Sequence, residues 1–100
     1  MDLVVSHSTQ ETRIALPERF VYNQQAGFRR AYTEAPSQAG RRFILDFSRT
    51  NYIDSSALGM LLILREEVGG DNADIHMINA RPQIRKILET ARFHELFKLV

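Results

Sequence analysis

One hundred residues give room for a single compact domain, 1–100, burying roughly 60–70% of its unfolded surface, and exclude a second folded domain. Hydrophobic residues at 44% and charged residues at 25% exclude a disordered chain. Thirteen basic against twelve acidic residues leave a net charge of +1 without the basic patch that nucleic acid requires, and zero cysteines exclude disulfides, thiolate zinc sites and cysteine nucleophiles.

The first seven residues, Met1-Asp2-Leu3-Val4-Val5-Ser6-His7, have neither a basic segment nor a long apolar one, so no secretory signal is expected. Residues 3–7 and 12–16 read as two short strands around a polar turn, a hairpin, with Pro17 ending the second strand. From Val21 onward the apolar residues Val21, Phe28, Ala31 and Tyr32 follow the helical period, and Pro36, Ser37 and Gly40 close that helix. Arg42-Phe43-Ile44-Leu45-Asp46-Phe47 fits a central strand buried on both faces. A second helix follows Asn51-Tyr52-Ile53-Asp54-Ser55-Ser56 and stops at Gly69-Gly70. Its spacing puts Leu58, Leu61, Leu62, Arg65 and Val68 on one face, with Met60, Ile63 and Leu64 widening the apolar surface. The longest apolar run, residues 60–64, is far shorter than the roughly 20 residues that cross a membrane, so membrane insertion is not expected and the cytoplasm is the expected location.

Residues 73–78 read as another strand. Pro82 suits the first position of a third helix, whose core stripe is Ile84, Ile87, Leu88 and Ala91. Residues 97–100 start a final edge strand. This order predicts an α/β sandwich with parallel crossovers, each helix covering a face of the sheet.

Chemistry concentrates at Asp54-Ser55-Ser56-Ala57-Leu58-Gly59, where a loop enters the second helix. Asp and Ser both cap free first-turn amides, each cap contributing about 1 kcal/mol. A serine in that position also suits a phosphate, since first-turn N–H groups and the helix dipole attract anions. Phosphorylation would add about −1.5 to −2 charges beside Asp54. Against a partner carboxylate at about 4 Å and an effective dielectric near 20, each charge pair costs around 4 kcal/mol, nearly three decades of affinity.

The run Ile44-Leu45-Asp46-Phe47, followed by Tyr52-Ile53-Asp54-Ser55-Ser56-Ala57-Leu58-Gly59-Met60-Leu61-Leu62, resembles the core signature of STAS domains, especially bacterial anti-sigma-factor antagonists. Ala91-Arg92-Phe93-His94-Glu95-Leu96-Phe97 is similar to the family's last helix and its return to the sheet. The resemblance runs from about residue 12 to the end. It implies a STAS-type fold, a mixed sheet of four to five strands packed against three or more helices.

By that resemblance Ser55 is the phosphate acceptor, and Asp54, Ser56, Ala57, Gly59 and Met60 belong to the partner-binding surface. The implied partners are an anti-sigma factor with GHKL-type serine kinase activity, bound by the unphosphorylated form, and a PPM-type serine phosphatase that reverses the modification. No cofactor is implied for this chain, because ATP belongs to the kinase. The rival expectation is a STAS subunit of a larger assembly, such as a lipid transporter or a stress-sensing complex, docking through the same helix without a phosphoswitch. Pro17-Glu18-Arg19-Phe20-Val21 departs from the family, with Val21 where an Asp is often found, and many relatives continue into a further C-terminal helix.

An enzyme is not expected. His7, His76 and His94 lack local metal-ligand spacing and are expected to be surface or packing residues. No G-x-S-x-G turn activates Ser55. Glu66-Glu67 and Arg29-Arg30 are expected on solvated helix faces.

Overall fold

The computed structural model describes residues 3–36 and 40–100. Strands β1 (Val4–His7) and β2 (Glu11–Ala15) form the expected antiparallel hairpin, pairing Val4 with Ala15 and His7 with Thr12. Strands β4 (Arg42–Asp46), β6 (Asp74–Ile78) and β7 (Lys98–Leu99) extend it by parallel pairing in the order β1-β2-β4-β6-β7. Helices α1 (Gln25–Thr33), α2 (Ser55–Val68) and α3 (Pro82–Thr90) make the three crossovers. Each crossover steps the same way along the sheet, so right-handed connections put all three helices on one face.

Burial along the strands agrees. Thr12, Ile14 and Leu16, Phe43, Leu45 and Phe47, and Ile75 and Met77 lie under the helices, fully enclosed. Strand β4 is central as expected, but its second face is only half covered. That face carries Arg13, Asp46, Arg42, Asp74, His76 and Lys98, tied by ion pairs of Arg13 with Asp46 at 3.3 Å and Arg42 with Asp74 at 3.0 Å. The apolar composition of β4 alone did not separate one covered face from two, because Ile44 contributes a large side chain to the open side.

The first helix starts later than the periodicity suggested. Val21 is extended, and a 3₁₀ turn over Tyr22–Gln24 precedes α1. Phe28, Ala31 and Tyr32 face the core as expected, and Phe28 meets Phe20 and Tyr32 edge-on at 5.1 and 5.6 Å. Ser37, read as part of the helix stop, lies outside the described residues. In α3, Ile84 and Leu88 are buried while Ile87 and Ala91 are exposed. The helix ends at Thr90, and Phe93 and Phe97 beyond it close the core in place of Ala91.

Two more strands escaped the sequence pattern. β3 (Arg19–Phe20) and β5 (Tyr52–Ile53) form a small parallel sheet of their own, Arg19 opposite Tyr52 and Phe20 opposite Ile53. Two residues are too few to show alternation. Their pairing is reinforced where Asn51 N–H donates to the Glu18 carbonyl at 2.9 Å and Thr50 Oγ1 donates to the Pro17 carbonyl at 2.9 Å.

Candidate functional site at the start of the second helix

The strand β5 delivers the chain to α2 through Asp54, which is extended and forms the N-cap. Its Oδ1 accepts the Ala57 N–H at 2.9 Å, and its Oδ2 accepts the Tyr22 N–H at 3.3 Å. One carboxylate therefore satisfies a first-turn donor and also holds the loop that departs from the family pattern. Val21 does not replace the missing acid chemically. The backbone of its neighbour Tyr22 is bound by Asp54 instead.

Ser55 is the first residue of α2 and is exposed. Among the described residues, no protein group hydrogen-bonds its hydroxyl. The cap and the phosphate-acceptor readings thus divide between two residues, with Asp54 capping and Ser55 open to solvent.

Helical geometry then fixes what shares a face with Ser55. Offsets of 4, 7, 8 and 11 residues bring Gly59, Leu62, Ile63 and Glu66 onto one stripe. Leu62 is 40% exposed and Ile63 46% exposed. The spacing groups Leu62 with Leu61 and Val68 on one face, but the buried face of the helix is formed by Ala57, Met60, Leu61, Leu64 and Val68. The apolar residues run almost around this helix, so two rotations of it fit the sequence, and only tertiary contact, with α1 and β5 among its neighbours, chooses between them.

Burial divides the residues expected on the partner surface. Asp54 and Ser56 are half-buried, whereas Ala57 is fully enclosed and Met60 is only 5% exposed. Ala57 packs the helix onto the core, and Met60 floors a hollow of about 270 Å³ between α1 and α2 with Phe28, Tyr32 and Ile63. Glu67 is not simply solvated. It accepts from Tyr32 Oη at 2.9 Å and pairs with Arg29 at 3.4 Å, joining the two helices. Burial first, and then the Glu67 carboxylate, push the Tyr32 phenol well above its ordinary range.

Gly59 has a different meaning. A Cβ built there meets nothing within 4 Å. No packing within the molecule requires a glycine at the fifth position of a 14-residue helix, where it costs about 1 kcal/mol relative to alanine. Leu62, Ile63, Tyr22 and Tyr52 are large apolar or aromatic side chains left exposed near this end of the molecule, and the sequence did not single them out as a surface.

Away from this end, His7 Nδ1 bonds Thr12 Oγ1 at 2.8 Å and His76 Nε2 bonds Asp74 Oδ1 at 2.9 Å. Among the described residues no cluster of three His, Asp or Glu side chains is arranged to hold a metal, and no helix is long and apolar enough to cross a membrane.

The family model described as "Mlab, STAS domain" matches residues 3–100. The chain belongs to the STAS family. A STAS-domain containing protein of Pseudomonas aeruginosa is 44% identical over 90 residues, 90% of this chain and 88% of the relative. The anti-sigma-factor antagonist (STAS) domain protein of Planctomyces limnophilus superposes with a TM-score of 0.80 at 18% identity, over 97% of this STAS domain and 87% of that chain. The Bacillus cell-fate determinant SpoIIAA in its phosphorylated form gives 0.69 at 16% identity, over 98% and 90%. The α/β STAS fold is thereby shown, a five-stranded mixed sheet with three helices. It is the fold of anti-sigma-factor antagonists.

Proposed function

We propose that this STAS domain is an anti-sigma-factor antagonist. Its α2 stripe binds an anti-sigma factor when Ser55 is unmodified, and phosphorylation of Ser55 by that partner's serine kinase activity releases the complex. A serine phosphatase resets it. The reading needs no catalysis and no cofactor on this chain.

The observation that carries it is the exposed Ser55 hydroxyl, without a protein partner among the described residues, at the head of a stripe bearing Gly59, Leu62 and Ile63. A phosphate there is electrostatically compatible with the helix start, so the fold survives modification. The same phosphate places a dianion beside an otherwise apolar contact surface, where a facing carboxylate or a desolvated apolar group opposes it. Binding changes while structure does not. The fold shared with a Bacillus protein known in a phosphorylated form supports the same assignment.

The test is a pull-down from the native host with wild-type, Ser55→Ala and Ser55→Asp, combined with mass-spectrometric mapping of phosphate on the wild-type protein. Phosphate on Ser55, constitutive capture by Ser55→Ala and weak capture by Ser55→Asp are expected. Equal capture by all three with Ser55 unmodified would instead favour a docking subunit without a switch.

A further inference from the structure

The five-stranded sheet has two edges that differ in chemistry. One is β7, two residues long and carrying Lys98; a short, charged edge resists pairing with another chain. The other is β1, Val4-Val5-Ser6-His7, exposed along its whole length. It carries no proline, lysine, arginine or carboxylate, and its unbroken register with β2 leaves no bulge to turn it away.

Hydrogen-bond alternation fixes which of its groups are free. Ser8 N–H donates to the Glu11 carbonyl at 2.8 Å, and in an antiparallel ladder every second residue faces the same neighbour. The main chains of Ser6 and Val4 therefore face β2, and those of Val5 and His7 point outward from the sheet. The Val5 and His7 side chains stand on the helix-covered side, beside their strand partners Ile14 and Thr12, which are buried. Val5 is nevertheless 38% exposed, because α1 stops short of covering β1. A groove of about 490 Å³ separates them, lined by Leu3, Val5 and His7 on one side and by Gly27, Arg30 and Glu34 from α1 on the other.

We propose that β1 is a self-association edge whose occupant is the β1 of a second copy of this chain, joined antiparallel about a two-fold axis. A register centred on Ser6 sets Val5 of each copy opposite His7 of the other, so their outward N–H and C=O groups satisfy one another. A two-fold axis perpendicular to the sheet keeps both α1 helices on one face, side by side and antiparallel. The two grooves then merge over the joined strands and enclose the Val5 side chains. Charge favours a second copy over an unrelated strand. Arg30 and Glu34 are exposed at the groove rim, about one helical turn apart, and neither forms an ion pair among the described residues. Between antiparallel helices, Arg30 of each copy comes beside Glu34 of the other, which makes the rim complementary to itself. Because α1 stands between this edge and α2, the Ser55 stripe stays open in the dimer, and the inference is independent of how Ser55 is used.

The experiment is sedimentation equilibrium of the purified protein over a concentration series, with amide hydrogen exchange measured at the lowest and highest concentrations. One strand and one helix stripe per copy make a small interface, so a dimer in the micromolar range is expected. The Val5 and His7 amides should gain protection with concentration, while the Ser6 amide, already bonded to β2, should not change. Val5→Pro removes an outward N–H and spares the ladder between β1 and β2, and should weaken the dimer roughly tenfold or more. Arg30→Glu and Glu34→Arg should each weaken it about fivefold, and Arg30→Glu/Glu34→Arg together should restore it. Melting curves of each variant establish that it is folded. A monomer at every concentration would overturn the proposal, as would a dimer that a folded Val5→Pro variant retains or one that protects α2 or β7 amides instead of Val5 and His7. Failure of the paired charge reversal to restore association in a folded protein would overturn it as well.

Discussion

Gly59 and Ser55 lie about one helical turn apart in α2 and differ in what they cost the fold. Gly59 weakens α2 with no return inside the molecule, since a methyl group at its Cβ would meet open space. Gly59→Ala is therefore expected to raise unfolding stability by about 0.5–1 kcal/mol, read from denaturant unfolding, while weakening partner binding at least tenfold. Tighter or unchanged binding would remove Gly59 from the contact surface. Asp54 behaves differently because both its oxygens are engaged, by Ala57 and by Tyr22. Asp54→Ala should cost about 1–2 kcal/mol in the same measurement, and Asp54→Asn less, since an amide oxygen still caps the helix. Ser55→Ala should leave stability within about 0.5 kcal/mol of wild type, as expected for an exposed side chain with no protein partner.

At the scale of elements, α2 serves the core with one face and the surface with the other. Leu61 is fully buried, so Leu61→Ala should destabilise by about 2–5 kcal/mol, whereas Leu62→Ala should change stability little and binding more. A thermal melt of each variant separates them. Reversed effects would mean that the helix is rotated. The sequence revealed α2, its cap region and its glycine stop, because periodicity, Asp54-Ser55 and Gly69-Gly70 are local signals. It did not reveal the rotation, because Leu58, Leu61, Leu62, Ile63 and Leu64 are all apolar and the choice is made by the sheet beneath. The small β3 and β5 sheet was illegible for another reason. Phe20 and Ile53 meet across 33 positions of chain, and no local pattern encodes that pairing.

Across the whole molecule, the open sheet face is held by carboxylates whose ionisation stabilises the fold. Burial alone would raise the Asp74 carboxyl, but hydrogen bonds from Arg42, Lys98 and His76 outweigh it and bring it from 3.8 down to about 2. At Asp46 burial again opposes ionisation, and the Ser48 amide, Asn79 and Arg13 together win, lowering it as well. A carboxyl with a depressed folded-state pKa contributes stability above its unfolded value that is lost as pH falls toward the folded one. Unfolding free energy measured between pH 5 and pH 2 should therefore drop mainly below pH 4, and Asp74→Asn should flatten that slope. Ser55 lies at the other end of the molecule from Arg42, beyond the carboxyl ends of the strands, so this acid limb should not depend on it. Partner affinity decides the central claim. Protein made with phosphoserine at position 55 and unmodified protein would be titrated by calorimetry against the captured anti-sigma factor. Tight binding of the unmodified form and a loss of about three decades on phosphorylation are expected; equal affinities for the two folded forms would rule out a switch at Ser55.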